Sequence, residues 1–225
     1  MKHLPIKKPE SSFLPFDKNK ERLQFELFKK SGIKQKAVFL DRDGTINIEP
    51  DAEQGYILDP KDIELIPMAG EAIRILNDAG ILTIVITNQA AIDKRLLSLK
   101  QFETINDILW EVLSNKNAHY DALYYCPHSP NITHNCRCRK PKPGLILQAA
   151  VDFNIDLPSS FMIGDKLTDI EAGNASGCKT ILVRSGLGEK SYNELVNYSE
   201  ADPSFICNNL KEAVAWLLPK ILDQR

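Results

Sequence analysis

The stretch that most strongly decides the fold is Ala37-Val38-Phe39-Leu40-Asp41-Arg42-Asp43-Gly44-Thr45. Its first four residues form a short apolar run that ends in a glycine turn, a pattern typical of a buried strand. Such a strand places Asp41 and Asp43 at its carboxyl end, where open α/β sheets bind their ligands. Gly44 permits a sharp turn and a close approach of the backbone to a bound group. The stretch therefore predicts a two-carboxylate site in which one carboxylate attacks and the other moves a proton.

This acidic turn has two other interpretations, a solvated loop and a calcium-binding loop. A solvated loop after a strand has the same composition, and this short motif alone leaves that alternative open. A calcium loop carries glycine at its sixth position and glutamate at its twelfth. Here the glycine is fourth counted from Asp41, and a strand rather than a helix precedes the acids. The pattern therefore disfavours calcium.

The whole-chain composition is typical of a soluble globular protein. The chain has 225 residues, of which 43% are hydrophobic and 26% charged, enough for one domain with a substantial core. Its net charge of −2 provides no basic field, so neither nucleic acid nor an anionic membrane is expected as a partner. Residues 1–36 lack the apolar core of a secretory signal, and no apolar run approaches the roughly 18 residues of a membrane span. We therefore expect a cytoplasmic protein.

The chain is predicted to divide into an N-terminal extension, residues 1–36, and one domain, residues 37–225. Within the extension, Asp17 can cap a helix over residues 18–30 that Gly32 would end. Packing of this segment on the main domain is favoured over a partner-binding role.

From residue 37 onward, predicted strands and helices alternate. Strands are predicted at 37–40, 81–86, 122–125, 160–163 and 180–183. Helices are predicted at 69–79, from the capping box Ser98-x-x-Gln101 to about 113, at 144–153, from the cap Thr168-x-x-Glu171 to Gly177, and at 208–221. Repeated units of this length predict an α/β fold: a Rossmann-like parallel sheet with helices on both faces.

Four polar segments are expected at one edge of that sheet. They are the Asp41/Asp43 pair, Thr87-Asn88-Gln89, Arg139-Lys140-Pro141-Lys142-Pro143 and Gly164-Asp165-Lys166-x-x-Asp169. Together they fit phosphoryl transfer from an ester, because its transition state spreads negative charge over oxygens that need positioned donors and a divalent cation. The hydroxyl and amides of the second segment suit phosphoryl oxygens, and Asp41 with Asp165 could hold Mg²⁺. A carboxylate nucleophile would split the displacement into two easier steps.

A second metal site is predicted from the cysteines. Cys126-x-His128 and Cys136-x-Cys138 are separated by seven residues, and alternate residues of an extended chain face the same way. Three thiolates and one imidazole form a closed tetrahedral set, which is typical of structural zinc. The alternatives are buried thiols with a surface histidine, or His134 as the fourth ligand; the local spacing favours His128. Cys178 and Cys207 stand apart and are expected in the core.

At this point the chain resembles a known family. The segments FLDRDGT, TNQ, RKPKP and GDKxTD resemble the motifs of haloacid dehalogenase-superfamily phosphatases over about residues 36–186. The subclass it most resembles contains D-glycero-D-manno-heptose bisphosphate phosphatases and histidinol-phosphatase domains, whose CxH…CxC loop also favours His128 as a zinc ligand. No sizeable insertion separates the first two motifs, so the large cap domain of many relatives is expected to be missing.

The resemblance also implies roles for individual residues. Asp41 would be the nucleophile and Asp43 the general acid and base, with the Asp43 backbone carbonyl and Asp165 also binding magnesium. The resemblance further implies that Thr87 and Lys140 stabilise the phosphoryl group and that Arg139 contacts the substrate. Lys166 and Asp169 match the last motif, with less defined roles. We assign Lys166, Asn88 and Gln89 to substrate binding.

The function implied is a magnesium-dependent, zinc-containing phosphatase acting on a small phosphorylated substrate through an aspartyl-phosphate. The expected substrate is heptose 1,7-bisphosphate, which would be cleaved at the 7-position during lipopolysaccharide precursor synthesis. The enzyme is expected to be a monomer. The alternative is histidinol phosphate; a nucleic-acid-end phosphatase is disfavoured by the near-neutral charge and the zinc loop. A non-catalytic, zinc-stabilised binding module is disfavoured because Asp41 and Asp43 are both present.

The chain departs from the family pattern at two places. Ala90-Ala91 stands where relatives have Ser-Gly, and the loop over residues 49–56 is longer than usual. Both lie where substrate would be recognised, so we expect them to bear on the choice of substrate more than on the type of reaction.

Overall fold

The computed structural model describes residues 13–15, 34–49, 55–133, 135–198 and 201–223. The helix predicted over residues 18–30, with Asp17 and Gly32 at its ends, lies outside these residues, as does His134. The domain boundary placed after residue 36 stays a prediction.

The core of the fold is a parallel sheet of seven strands. They are β1 (Phe13–Pro15), β2 (Ala37–Leu40), β3 (Leu82–Asn88), β4 (Ala122–Cys126), β5 (Phe161–Gly164), β6 (Lys179–Val183) and β7 (Phe205–Cys207). Their order across the sheet is β1-β4-β3-β2-β5-β6-β7. The central strand β2 therefore lies between β3 and β5 and is covered on both faces, which explains its continuous apolar sequence.

Within the described residues, six α-helices pack on the two faces of this sheet. They are α1 (Ala69–Asp78), α2 (Leu99–Ser114), α3 (Gly144–Asp152), α4 (Leu167–Ser176), α5 (Gly188–Tyr198) and α6 (Leu210–Leu222); two short 3₁₀ helices cover Pro60–Asp62 and Leu157–Ser159. Val38 and Leu40 share one apolar cluster with α1, α2 and α6. Ala37 and Phe39, which point the opposite way, share another with α3 and α4. The predicted parallel sheet with helices on both faces is confirmed.

None of the described helices combines the length and apolar character that a membrane span requires.

The predicted helix starts differ in outcome. The capping box of α2 is confirmed: the Ser98 hydroxyl accepts from Gln101 N at 3.2 Å, and the Gln101 side chain accepts from Ser98 N at 3.0 Å. The cap predicted for α4 at Thr168 is wrong, because this helix already begins at Leu167. Its N-cap is Lys166, whose N–H donates to the Asp169 carboxylate at 3.0 Å. A carboxylate three residues into a helix can satisfy this donor, so the helix starts two residues earlier than predicted.

Among the described elements, β1, α5, β7 and the two 3₁₀ helices were not predicted. Two of them are strands of three residues at or near the sheet edges, too short to show a periodicity. Pairing of β1 with β4 shows that part of the expected N-terminal extension supplies an edge strand. Cys207 in β7 and Cys178 before β6 are buried, as expected.

No large cap interrupts the fold between β2 and α1. Over the described part of this stretch, 41–49 and 55–68, the regular structure consists of the 3₁₀ helix Pro60–Asp62 and isolated bridges such as Asn47 with Leu65. The expected absence of a large cap domain is confirmed for these residues.

Candidate active site

The carboxyl ends of the central strands bring the predicted polar segments together. Asp41 directly follows β2, and its N–H donates to Ile163 O of β5 at 2.9 Å. Thr87 and Asn88 are the last residues of β3, and Asp165 directly follows β5. Because all these strands are parallel, their ends meet at one edge, as the sequence predicted.

A buried ion-pair cluster centres on Lys140. Its Nζ lies 2.7 Å from Asp41 Oδ1 and 2.6 Å from Asp169 Oδ1, and it donates to Ile86 O at 2.8 Å. Burial acts to lower the pKa of Lys140, but the Asp169 and Asp41 carboxylates raise it above the ordinary value. The lysine is therefore a fixed positive charge in direct contact with the Asp41 carboxylate.

Asn88 holds the backbone of Lys140. Its Nδ2 donates to Lys140 O at 3.1 Å, and Lys140 N donates to its Oδ1 at 3.1 Å. The amide expected to contact substrate is thus paired with the loop that carries the lysine. This reciprocal pair explains how a residue outside the sheet reaches the strand ends.

The Asp43 carboxylate accepts hydrogen bonds from three neighbours. Arg42 grips it with Nε at 3.0 Å and Nη2 at 2.9 Å, Asn47 Nδ2 donates at 3.0 Å, and Gln89 Nε2 donates at 2.9 Å. Burial acts to raise the pKa of Asp43, but the charge and hydrogen bonds of Arg42, with the hydrogen bond from Asn47, bring it below the ordinary value. In the protein without substrate, Asp43 is therefore ionised at neutral pH.

Arg42 was not identified as a site residue from the sequence. Its side chain is 1% exposed, Nη1 donates to Asn106 Oδ1 on α2 at 3.0 Å, and the guanidinium lies 6.0 Å from the centre of the Phe102 ring. Its position between Asp41 and Asp43 was the one sequence feature that could have indicated a role in the site. Its burial, however, depends on contacts with α2, which the sequence around it does not show. Gln89 also donates to Thr87 Oγ1 at 2.9 Å, so it too organises the site from within.

Asp41, Asp165 and Asp169 form a cluster suited to a divalent cation. One carboxylate oxygen of each lies within 4.8 Å of the others. Asp165 is buried, and its Oδ1 has no hydrogen-bond partner among the described residues. Burial and the nearby Asp41 carboxylate raise the pKa of Asp165 to about 8, so ionisation at neutral pH calls for a cation. A set of carboxylate oxygens fits Mg²⁺.

Two glycines let the backbone lie against Asp165. Gly44 has φ of +89°, and a Cβ there would overlap Asp165 Oδ2. Gly186, with φ of +55°, would place a Cβ 2.5 Å from the same oxygen. The close approach predicted at Gly44 thus involves this buried carboxylate, and Gly186, for which the sequence gives no local signal, approaches it in the same way.

The four predicted zinc ligands also converge. Cys138 Sγ lies 3.2 Å from Cys126 Sγ and 3.2 Å from His128 Nδ1, and Cys126 Sγ lies 3.8 Å from Cys136 Sγ. Tetrahedral zinc with bonds of about 2.0–2.3 Å needs donors about 3.5–3.8 Å apart, which this set approaches. The Cys138 thiol and burial raise the pKa of Cys126, so its thiolate requires a compensating cation. The residues present fit a structural zinc ion.

The mouth of the site carries two further cations. Arg139 Nη1 donates to His128 O at 3.3 Å, which ties it to the loop of the predicted zinc ligands. Lys166 Nζ donates to Glu49 Oε1 at 2.8 Å and lies 3.9 Å from Asp165 Oδ2. Glu49 was noted from the sequence only as the start of a long loop, because nothing local indicates that it faces Lys166.

The Ala90-Ala91 departure lies inside the protein. Ala90 is 2% exposed and Ala91 is fully buried in the apolar cluster of α1 and α2. The backbone carbonyl of Ala91 accepts from Leu96 N at 2.9 Å and Leu97 N at 3.2 Å. The methyl group of Ala91 therefore packs in the core, where the glycine of the family pattern would leave space.

Comparisons with known proteins agree on one family. The HAD-hydrolase-like family model matches residues 137–213. D-glycero-D-manno-heptose-1,7-bisphosphate 7-phosphatase of Chlorobaculum tepidum is 39% identical over 189 residues, covering 80% of this chain and 92% of the relative. D-glycero-beta-D-manno-heptose-1,7-bisphosphate 7-phosphatase of Escherichia coli K12 is 38% identical over 156 residues, and the match covers 67% of this chain and 80% of the E. coli protein.

A solved structure gives the same result at the level of the fold. The D,D-heptose 1,7-bisphosphate phosphatase of B. bronchiseptica, determined with magnesium and phosphate, superposes with a TM-score of 0.75 at 30% identity, covering 83% of this chain and 99% of that one. With the sheet, the strand-end aspartates and these relatives in agreement, the chain belongs to the haloacid dehalogenase-like phosphatases.

Proposed function

We propose that this phosphatase is magnesium-dependent and removes the 7-phosphate of heptose 1,7-bisphosphate through an aspartyl-phosphate on Asp41. The observation that carries the mechanism is the 2.7 Å contact between Asp41 and the buried Lys140 ammonium, beside Asp165 and Asp169. The substrate rests on the names of the relatives from C. tepidum and E. coli.

In the first half-reaction, a carboxylate oxygen of Asp41 attacks phosphorus and the bond from phosphorus to the sugar oxygen breaks. Asp43 supplies the proton that the leaving alkoxide needs. Because Asp43 is ionised in the protein without substrate, this step requires proton uptake as substrate binds. Lys140 neutralises charge on the phosphoryl oxygens, and Mg²⁺, if held by Asp41 and Asp165 together with the Asp43 carbonyl that the family resemblance implies, would supply further electrostatic stabilisation.

In the second half-reaction, water attacks the phosphorus of the aspartyl-phosphate and regenerates Asp41. Asp43 accepts the proton from that water, a task that suits its ionised state. Asn88 and Gln89 support these steps as positioning residues, since Asn88 fixes Lys140 and Gln89 contacts Asp43. Thr87 lies beside them with its hydroxyl at the end of β3, where it can donate to the phosphoryl group.

Arg139 and Lys140 are expected to have different kinetic effects. Arg139 lies at the mouth, so Arg139→Ala should weaken binding of a second phosphate and raise KM for a bisphosphate about 10–100-fold, with little effect on a monophosphate. Lys140 contacts the nucleophile, so Lys140→Ala should lower kcat for both substrates by about 10²–10³-fold. Steady-state kinetics of Arg139→Ala and Lys140→Ala, each with a bisphosphate and a monophosphate substrate, measure these changes in KM and kcat. Equal KM effects of Arg139→Ala on the two substrates would contradict its assignment.

The zinc loop is expected to contribute stability rather than chemistry. Purified protein should contain one zinc per chain, and Cys136→Ser or Cys138→Ser should lose it, because metal-binding energy becomes folding energy. A loss of about 3 kcal/mol would lower Tm by about 6–12 °C. Elemental analysis and thermal melting measure this, with Cys178→Ser, a buried cysteine away from the cluster, as a control that keeps its zinc. Protein without zinc, or a disulfide in the cluster under reducing conditions, would contradict the assignment.

A substrate panel tests the proposed activity. It contains heptose 1,7-bisphosphate, histidinol phosphate and a phosphorylated oligonucleotide, each with Mg²⁺. We expect the highest kcat/KM for the heptose bisphosphate. Turnover of histidinol phosphate without turnover of the heptose would instead select the alternative substrate named above.

A further inference from the structure

Glu49 lies at the mouth of the site and makes only half of the contacts its carboxylate can make. Its Oε1 accepts from Lys166 Nζ at 2.8 Å. Its Oε2 is buried and has no hydrogen-bond partner among the described residues. Leaving such an oxygen unsatisfied is unfavourable, so a donor from outside the described residues would stabilise it.

The backbone that carries Glu49 is well fixed. Ile48 N donates to Glu64 O at 2.8 Å, and the Asn47 side chain donates to Ile48 O at 2.9 Å. Asn47 in turn donates to Asp43 at 3.0 Å, so the stretch leading to Glu49 is tied to the catalytic loop. The Glu49 side chain as a whole is 18% exposed, although Oε2 itself is buried. The unpartnered oxygen therefore belongs to a partly exposed side chain whose backbone is held in place.

The surrounding charges restrict which donor can approach. Burial raises the pKa of Glu49 against the opposing effect of Lys166, and the negative charges of Asp43 and Asp41 raise it further. A phosphate bound directly to Glu49 would meet the negative charge of Glu49 itself, and Lys166, the cation that contacts Glu49, already pairs with its other oxygen. A neutral hydroxyl group donates a hydrogen bond without adding charge. The position therefore suits a hydroxyl on the organic part of the ester.

We propose that Glu49 is a specificity-determining residue that accepts a hydrogen bond from a hydroxyl of a polyhydroxylated substrate while it holds Lys166 at the mouth. This rests on the proposed phosphatase function and adds the class of substrate that the site prefers. It predicts discrimination between esters of sugars and esters that have no hydroxyl groups.

The test compares Glu49→Ala and Glu49→Gln on heptose 1,7-bisphosphate and on 4-nitrophenyl phosphate, which has no hydroxyl on its ring. Glu49→Ala should lower kcat/KM for the sugar ester about 10–100-fold, mainly through KM, and leave the aryl ester within about threefold. Glu49→Gln keeps an acceptor oxygen and should recover part of the loss. Glu64→Gln, a charge change on an exposed side chain of the neighbouring segment, should leave both rates unchanged.

The outcomes separate this inference from the proposed function. Equal losses on both esters would show that Glu49 acts only through Lys166 or the fold, and would overturn the inference while the phosphatase assignment stands. The same holds if Glu49→Ala leaves the sugar ester unaffected. Unmodified protein that hydrolyses neither ester would overturn the proposed function, and the inference with it.

Discussion

Asp41→Asn is expected to abolish turnover, lowering kcat by about 10⁴-fold or more. The amide is a far weaker nucleophile than the carboxylate and cannot form the acyl-phosphate. The substitution also removes the negative charge that Lys140 Nζ contacts at 2.7 Å, but leaves Asp169 as a partner for that ammonium at 2.6 Å. The fold should therefore persist. Phosphate release from the proposed substrate and circular dichroism measure the two expectations.

A matched control is available in Asp62, an exposed acid in the 3₁₀ helix Pro60–Asp62. Asp62→Asn makes the same chemical change away from the site and should retain full activity. If Asp41→Asn keeps activity within tenfold of the unmodified protein while its circular dichroism is unchanged, Asp41 is not the nucleophile.

Asp43→Asn is expected to slow both proton-dependent steps by roughly 10²–10⁴-fold while leaving attack by Asp41 partly possible. The substitution also turns one acceptor oxygen into an NH₂ group that faces donors of Arg42, Asn47 or Gln89. Some loss of stability should therefore accompany it. Thermal melting measures that loss separately from the kinetics.

The dependence on the leaving group distinguishes lost proton transfer from a distorted site. A nitrophenolate leaves without needing a proton, whereas a sugar alkoxide needs one. Asp43→Asn should therefore slow a sugar phosphate much more than 4-nitrophenyl phosphate in the first half-reaction, measured as the rate of phosphoenzyme formation in a single turnover. An equal loss on both esters would argue against Asp43 as the general acid.

The sequence predicts those helices and strands that carry a clear local pattern of apolar or capping residues. It misses those that form only because of their tertiary contacts. The central strand β2 and the capping box at Ser98 are local patterns, and both are confirmed. The three-residue strands β1 and β7 carry no periodicity and exist because the sheet offers them an edge. The start of α4 was misplaced because Asp169 was not recognised as the residue that satisfies the Lys166 N–H.

The site could be predicted to the extent that parallel strands share one edge. That rule placed Asp41 and Asp165 together, and both lie where it predicts. It could not show that Lys140, 99 residues from Asp41, reaches the same carboxylate; the family resemblance implied only that Lys140 stabilises the phosphoryl group. It also gave no information on Arg42 or Glu49, since their roles depend on α2 and on a cation from another loop.

The most direct test of the central claim is ³¹P NMR of heptose 1,7-bisphosphate incubated with the purified protein and Mg²⁺. We expect the 7-phosphate signal to be replaced by inorganic phosphate while the 1-phosphate remains, turnover to stop in excess chelator, and readdition of Mg²⁺ to restore it. Loss of the 1-phosphate, full activity in excess chelator, or no change in either signal would contradict the account.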